Sequence, residues 1–113
     1  MPDLKTIVGP LTLKNPTILA SGIMDEDAGS MRRIIASGAG AIVTKSIGLD
    51  PRPGYSNPTI VETPCGLLNA MGLPNPGITD FTGELDLLGK TTVPIIGSIY
   101  GKDPEEFCTL ARH

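Results

Sequence analysis

Aromatic side chains are scarce in this sequence, at 4% of 113 residues. Cysteine is scarce as well: Cys65 and Cys108 are the only two, without Cys-x-x-Cys spacing, so no disulfide framework can be built. The single histidine, His113, is the last residue, so neither a zinc nor an iron–sulfur site within the chain is expected. Positive charge is thinly spread, with Arg32-Arg33 the one adjacent basic pair and a net charge of −3. Binding to nucleic acid needs clustered Lys and Arg, so nucleic acid is not an expected partner. No apolar run is long enough to cross a bilayer. The opening MPDLKTIVGP lacks the charged-then-apolar pattern of a secretion signal. The expected location is the cytoplasm.

Glycine and proline, by contrast, are plentiful: 14 and 11 residues, distributed along the chain rather than pooled. That distribution predicts many turns and short, numerous elements rather than a disordered linker. Leu4–Val8, Gly9-Pro10 and Leu11–Leu13 read as a small β-hairpin. Thr17–Ala20 is a short apolar strand ended by Ser21-Gly22. Ser30–Ser37 has Met31, Ile34 and Ile35 at helical spacing, with Ser30 expected as N-cap and Gly38 as C-cap. Ala41–Thr44 is a second buried strand, which makes Thr17–Thr44 a βαβ unit.

Lys45–Pro58 reads as a loop. Thr59–Glu62 and Leu67–Ala70 read as short strands about a Pro64-Cys65-Gly66 turn. Asn75-Pro76-Gly77 opens a helix to about Leu88, with Ile78, Phe81, Leu85 and Leu88 on one face. Val93–Ile99 is a third parallel strand, and Lys102–Arg112 a third helix, with Asp103 as cap and Pro104 at its first position. A hairpin followed by about three βα units means an α/β fold with a parallel sheet. A (β/α)8 TIM barrel takes roughly 250 residues. Residues 1–113 are therefore expected to be the N-terminal part of one such domain, truncated relative to the whole.

In parallel α/β folds, chemistry sits where the strands end. Lys45 directly follows a strand, so its ammonium is placed to hold an anionic ring, a carboxylate or a reduced cofactor. A solvated loop lysine is the competing reading, and the strand-end position favours function. Ser21 and Ser46 offer hydroxyls at neighbouring strand ends; turn-forming serines are equally compatible with the chemistry. Gly22 either admits a flat ligand or simply turns the chain. In Asn69-Ala70-Met71-Gly72-Leu73 the asparagine can donate and accept at once. Taken alone, that stretch reads better as a hairpin with a bulge. Cys65 has no histidine partner and is expected to be a small buried side chain, with Cys108 in the core. Asp25-Glu26-Asp27 is expected to be a solvated loop.

Together, the stretches LKNPTILASG (Leu13–Gly22), GAGAIVTKSIGLDPRPG (Gly38–Gly54), NPTIVETPCGLLNAMGLPNPG (Asn57–Gly77) and VPIIGSIYG (Val93–Gly101) resemble the class 1 dihydroorotate dehydrogenases, most closely the NAD-linked branch. The resemblance covers most of the chain, in family order. It implies an FMN-binding barrel that oxidises dihydroorotate to orotate in pyrimidine synthesis, by hydride transfer from substrate C6 to the flavin. It assigns Ala20, Ser21, Gly22, Lys45, Ser46 and Ser98 to FMN, and Lys45 also to catalysis. Lys45, Asn69, Ala70, Met71, Gly72 and Leu73 are assigned to orotate. Ser98 stands where most relatives place an FMN-contacting Asn, and its reach is shorter. The catalytic base, a Cys or Ser on a loop after the fourth strand, is not among these residues. The partners implied are the substrate pair dihydroorotate/orotate, a second copy in a homodimer, and a subunit carrying FAD and an iron–sulfur cluster. The alternatives are a dihydropyrimidine dehydrogenase-like flavin domain and a non-catalytic fragment packed against another chain. A dihydrouridine synthase fits the acidic balance less well.

Overall fold

The computed structural model describes residues 2–113. The chain runs β1 (Thr6–Val8), β2 (Leu11–Leu13), β3 (Ile18–Leu19), α1 (Ala28–Ala36), β4 (Ala41–Ile47), β5 (Ile60–Thr63), β6 (Gly66–Asn69), α2 (Gly77–Leu88), β7 (Ile95–Ile99) and α3 (Pro104–Leu110). The expected α/β class holds. Strands β3, β4 and β7 form one parallel sheet with β4 in the middle, while β1–β2 and β5–β6 are separate antiparallel hairpins. No helix of the described residues is long and apolar enough to cross a membrane.

The core is built where α1 and α2 meet β4. Ala28 and Met31 of α1, Ile42 and Ile47 of β4, and Phe81 and Leu88 of α2 form one buried cluster. Each large side chain placed there contributes roughly 1.5–3 kcal/mol through removal from water. Ile42 and Ile47 are an odd number of positions apart, so in a regular strand they would face opposite sides. A bulge between Val43 and Ser46 brings both to the cluster: Val43 pairs with Ile96 and Ser46 with Ser98, three steps on β4 against two on β7. The Thr44 hydroxyl accepts the Ser98 N–H at 2.9 Å, supplying an acceptor where the ladder is interrupted.

Local signals place the helices well, with a correction at each end of α1. The N-cap of α1 is Asp27, not Ser30: the Asp27 carboxylate accepts the Ser30 N–H at 2.8 Å and the Ser30 hydroxyl at 2.9 Å. An acidic side chain reaches the unpaired amides of the first turn and favours the positive end of the helix dipole. The C-cap of α1 is Ser37, not Gly38; Gly38 follows it with φ 102, a conformation that suits glycine, and its N–H bonds to the Ile35 carbonyl. Asp103 caps α3 as expected, accepting from the Glu106 N–H at 2.9 Å.

Strand extents also differ from expectation. The second strand of the parallel sheet continues to Ile47, so Lys45 lies inside β4 rather than in a loop. The bulge extends the strand past the polar residues that read as its end. Both cysteines are exposed, contrary to the expected burial. Cys65 stands in the turn between β5 and β6, and Cys108 lies on α3, where Leu110 is the residue turned inward.

Candidate functional site

The C-terminal ends of the three parallel strands carry polar side chains that meet. Ser21 follows β3, Ser46 lies in β4 and Ser98 in β7. Their hydroxyls form a chain across the sheet, with Ser21 Oγ 3.2 Å from Ser46 Oγ and Ser46 Oγ 2.8 Å from Ser98 Oγ. Three residues far apart in sequence thus present a row of groups that can each donate or accept. Ala20 and Ser21 are exposed beside them, and a Cβ built on Gly22 would meet nothing within 4 Å.

Lys45 is buried, with 6% of its surface exposed. A lysine placed so deep needs partners, and two are present. Its Nζ donates to the Gly22 carbonyl at 2.6 Å and pairs with Glu26 Oε1 at 3.2 Å. The Gly22 end is fixed in turn by Asp25, whose Oδ2 accepts the Gly22 N–H at 2.8 Å. Asp25 is fully buried, and its Oδ1 has no hydrogen-bond partner among the described residues. Within the acidic run 25–27, Asp25 is buried rather than solvated, while Glu26 and Asp27 are exposed as expected and also make specific bonds. Asp25 holds the turn, Glu26 holds the lysine and Asp27 caps α1. The Ser30 backbone N–H, then the Ser30 hydroxyl, hold the Asp27 carboxyl below its ordinary 3.8.

The stretch Asn69–Leu73 leaves the end of β6 and comes back beside Lys45. Gly22, Ile23, Lys45, Asn69 and the residues from Ala70 to Pro74 line one cavity of about 330 Å³. Its lining combines a cation, an amide side chain and a backbone-rich turn. Gly72 has φ 79, and Leu73, which is not glycine, has φ 54. A left-handed leucine carries strain that its surroundings must hold in place. At Gly72 a Cβ would stand 2.8 Å from the Tyr55 ring, so the ring packs against bare backbone. The expected hairpin is real, as β5–β6, and the Asn69–Leu73 turn continues beyond it.

Lys45 joins Asn69–Leu73 in one cavity, and Ser21, Ser46 and Ser98 form a separate hydroxyl row. Sequence reasoning missed Glu26, Asp25, Thr44, Asn75 and Tyr100. Asn75 read only as a helix start, yet it is buried and bonds to Gly48, Leu73, Gly77 and Tyr100. The Asp25-Glu26 pair did carry a signal: it follows β3, and Lys45 of the neighbouring strand β4 reaches Glu26 there.

Comparison with known proteins gives a consistent picture. Residues 3–113 match the family described as dihydroorotate dehydrogenase. The "Dihydroorotate dehydrogenase B (NAD(+)), catalytic subunit" of Methanocaldococcus jannaschii is 55% identical over 113 residues, covering 96% of this chain and 37% of that protein. The protein of the same name from Pyrococcus furiosus is 54% identical over 102 residues, covering 90% of this chain and 34% of that one. The chain thus spans about a third of the length of these relatives. Among solved structures, ligand-free DHODH from Eimeria tenella superposes with a TM-score of 0.81 at 17% identity, covering 98% of this chain and 34% of that chain. The ferulenol complex of DHODH from the same organism gives 0.73 at 19% identity. At such identities the likeness is one of fold, and it fits the expected portion of a (β/α)8 barrel.

Proposed function

The chain belongs to the dihydroorotate dehydrogenase family, and from that premise we propose that it carries one wall of the active site of an FMN-dependent enzyme oxidising dihydroorotate to orotate. The observation that supports this best is the shared cavity of Lys45 and Asn69–Leu73 beside the serine row. Residues 1–113 would then be the N-terminal part of a single FMN-binding barrel domain.

The residues at the strand ends suit a flat cofactor with polar edges. Ser21, Ser46 and Ser98 would hydrogen-bond it, Ala20 and Gly22 would leave room for it, and Lys45 would place a cation at its edge. FMN, when bound, supplies the hydride acceptor. The short reach of Ser98 is offset by its bond to Ser46, which fixes the hydroxyl at the end of a row rather than leaving it to rotate freely.

The chain's own residues bind and orient the substrate. Orotate and dihydroorotate are anions with an amide edge. Lys45 offers charge in a buried setting, where it is worth more than in water. Asn69 can pair with the amide edge, donating and accepting at once. The Ala70–Leu73 backbone, bare of a side chain at Gly72, can grip the carboxylate, and Met71 and Leu73 give apolar walls. Neither cysteine lines this cavity, so neither is offered as the base that takes the C5 proton. The resemblance places that base on a later loop. A homodimer and a separate FAD/iron–sulfur subunit as electron acceptor are part of the same proposal, in keeping with relatives named as NAD(+)-linked catalytic subunits.

The test is anaerobic mixing of dihydroorotate with the FMN-loaded complete polypeptide. Bleaching of the flavin absorbance is expected. Bleaching by dihydrouracil and not by dihydroorotate would overturn the assignment in favour of a dihydropyrimidine dehydrogenase-type reaction, because only dihydroorotate brings the carboxylate that this cavity is proposed to hold.

A further inference from the structure

Asn75 uses all of its side-chain hydrogen-bonding capacity at once. Its Oδ1 accepts the Gly48 N–H at 3.2 Å and the Gly77 N–H at 2.9 Å. Its Nδ2 donates to the Leu73 carbonyl at 3.0 Å and to the Tyr100 hydroxyl at 2.8 Å. Its backbone N–H bonds to the Arg52 carbonyl at 2.9 Å, and its carbonyl accepts the Arg52 N–H at 2.8 Å. The residue is 7% exposed. One side chain thus ties together the segment after β4, the start of α2, the segment after β7 and the last residue of the Asn69–Leu73 turn.

Two further features make this knot a device for setting the turn. Leu73 adopts φ 54, and the bond from Asn75 to its carbonyl is the nearest polar restraint on that conformation. Tyr100 is itself fixed: its N–H bonds to the Ile47 carbonyl at 3.0 Å, and its ring lies where a Cβ on Gly48 would be only 2.7 Å away. The Tyr100 hydroxyl therefore sits on a rigid support at the joined ends of β4 and β7. That support orients the Asn75 amide, and Asn75 orients Leu73.

We propose that Asn75, anchored by Tyr100, is the positioning residue that holds the Ala70–Leu73 backbone in its anion-gripping conformation. The inference rests on the reading of Asn69–Leu73 as the substrate turn. Asn75 and Tyr100 act through the turn without touching substrate, so their loss should weaken substrate binding more than the rate at saturation.

The experiment uses the FMN-loaded complete enzyme with three variants, Tyr100→Phe, Asn75→Asp and Asn69→Ala, and orotate as the probe. Tyr100→Phe removes one hydroxyl and keeps the ring against Gly48. It should raise the orotate Kd and the dihydroorotate KM about three- to tenfold, the worth of one hydrogen bond, with FMN retention and the saturated rate within about twofold of the parent. Asn75→Asp replaces the donor to Leu73 with an acceptor and should raise both constants further. Amide exchange at Met71–Leu73 should speed up in both variants. If Asn69→Ala weakens orotate binding while Tyr100→Phe and Asn75→Asp leave it at the parent value, the positioning role is wrong and the substrate turn stands. If Asn69→Ala has no effect on orotate binding, the substrate turn itself is wrong and the inference falls with it. A Tyr100→Phe effect confined to thermal stability, with unchanged KM, would likewise overturn it.

Discussion

Lys45 Nζ lies 2.6 Å from the carbonyl oxygen of Gly22, a residue that follows the neighbouring parallel strand. The bond spans two strand ends and fixes the lysine where the cavity with Asn69–Leu73 opens. Glu26 is the only charged partner of the ammonium among the described residues.

Glu26 competes with any anionic ligand for that ammonium. Its side chain is 47% exposed, so the pair with Lys45 is weak and salt-screened. Glu26→Gln frees the lysine and removes a negative charge from the cavity edge. Orotate should bind up to about fivefold tighter, measured by titration at low salt, and the gain should shrink as salt rises. Weaker orotate binding would show that Glu26 positions the lysine instead of competing for it.

The serine row predicts a graded effect on flavin. Ser46 is the middle member, bonded to both Ser21 and Ser98. Ser46→Ala cuts both bonds and should weaken FMN binding by about three- to tenfold, read from recovery of free-flavin fluorescence on dilution. Ser21→Ala removes an end member and should cost less.

Asp27 makes acid stability testable. Its carboxyl is held below 3.8 by the Ser30 backbone N–H first and the Ser30 hydroxyl second. A depressed folded value means that the stabilisation is present above the unfolded value and is lost as the pH falls through the folded one. Asp27→Ala should lower Tm at neutral pH. The difference from the parent should shrink once the pH falls below 3.8 and through the depressed value. A Tm difference independent of pH would assign the effect of Asp27 to something other than its charge.

The sequence disclosed what local physics decides. Asp103 followed by Pro104 specifies a helix start, and Gly38 specifies a helix end, because capping is settled within a few residues. Apolar runs disclosed the strands, and the strand-end rule pointed to Ser21, Lys45 and Ser46, of which Lys45 and Ser46 lie within β4. The bulge in β4 escaped, because it depends on register against β7, and that register is set by Ile42 and Ile47 both reaching a core shared with two helices. The burial of Asp25 was missed for a similar reason. An acidic residue in such a run looks solvated until a turn amide from Gly22 arrives to pair with it. Asn75 was hidden because its four side-chain partners come from segments scattered between Gly48 and Tyr100. Cys65 and Cys108 were misplaced because small apolar residues carry no sign of which face they will occupy.

Lys45 is the residue proposed to serve both the flavin edge and the substrate. Stopped-flow reduction of FMN by dihydroorotate in the Lys45→Ala form of the complete enzyme tests it most directly. With flavin bound and dihydroorotate near saturation, the reduction rate should fall about a hundredfold or more, as for loss of a preorganised electrostatic group. A reduction rate close to that of the parent enzyme would contradict the account.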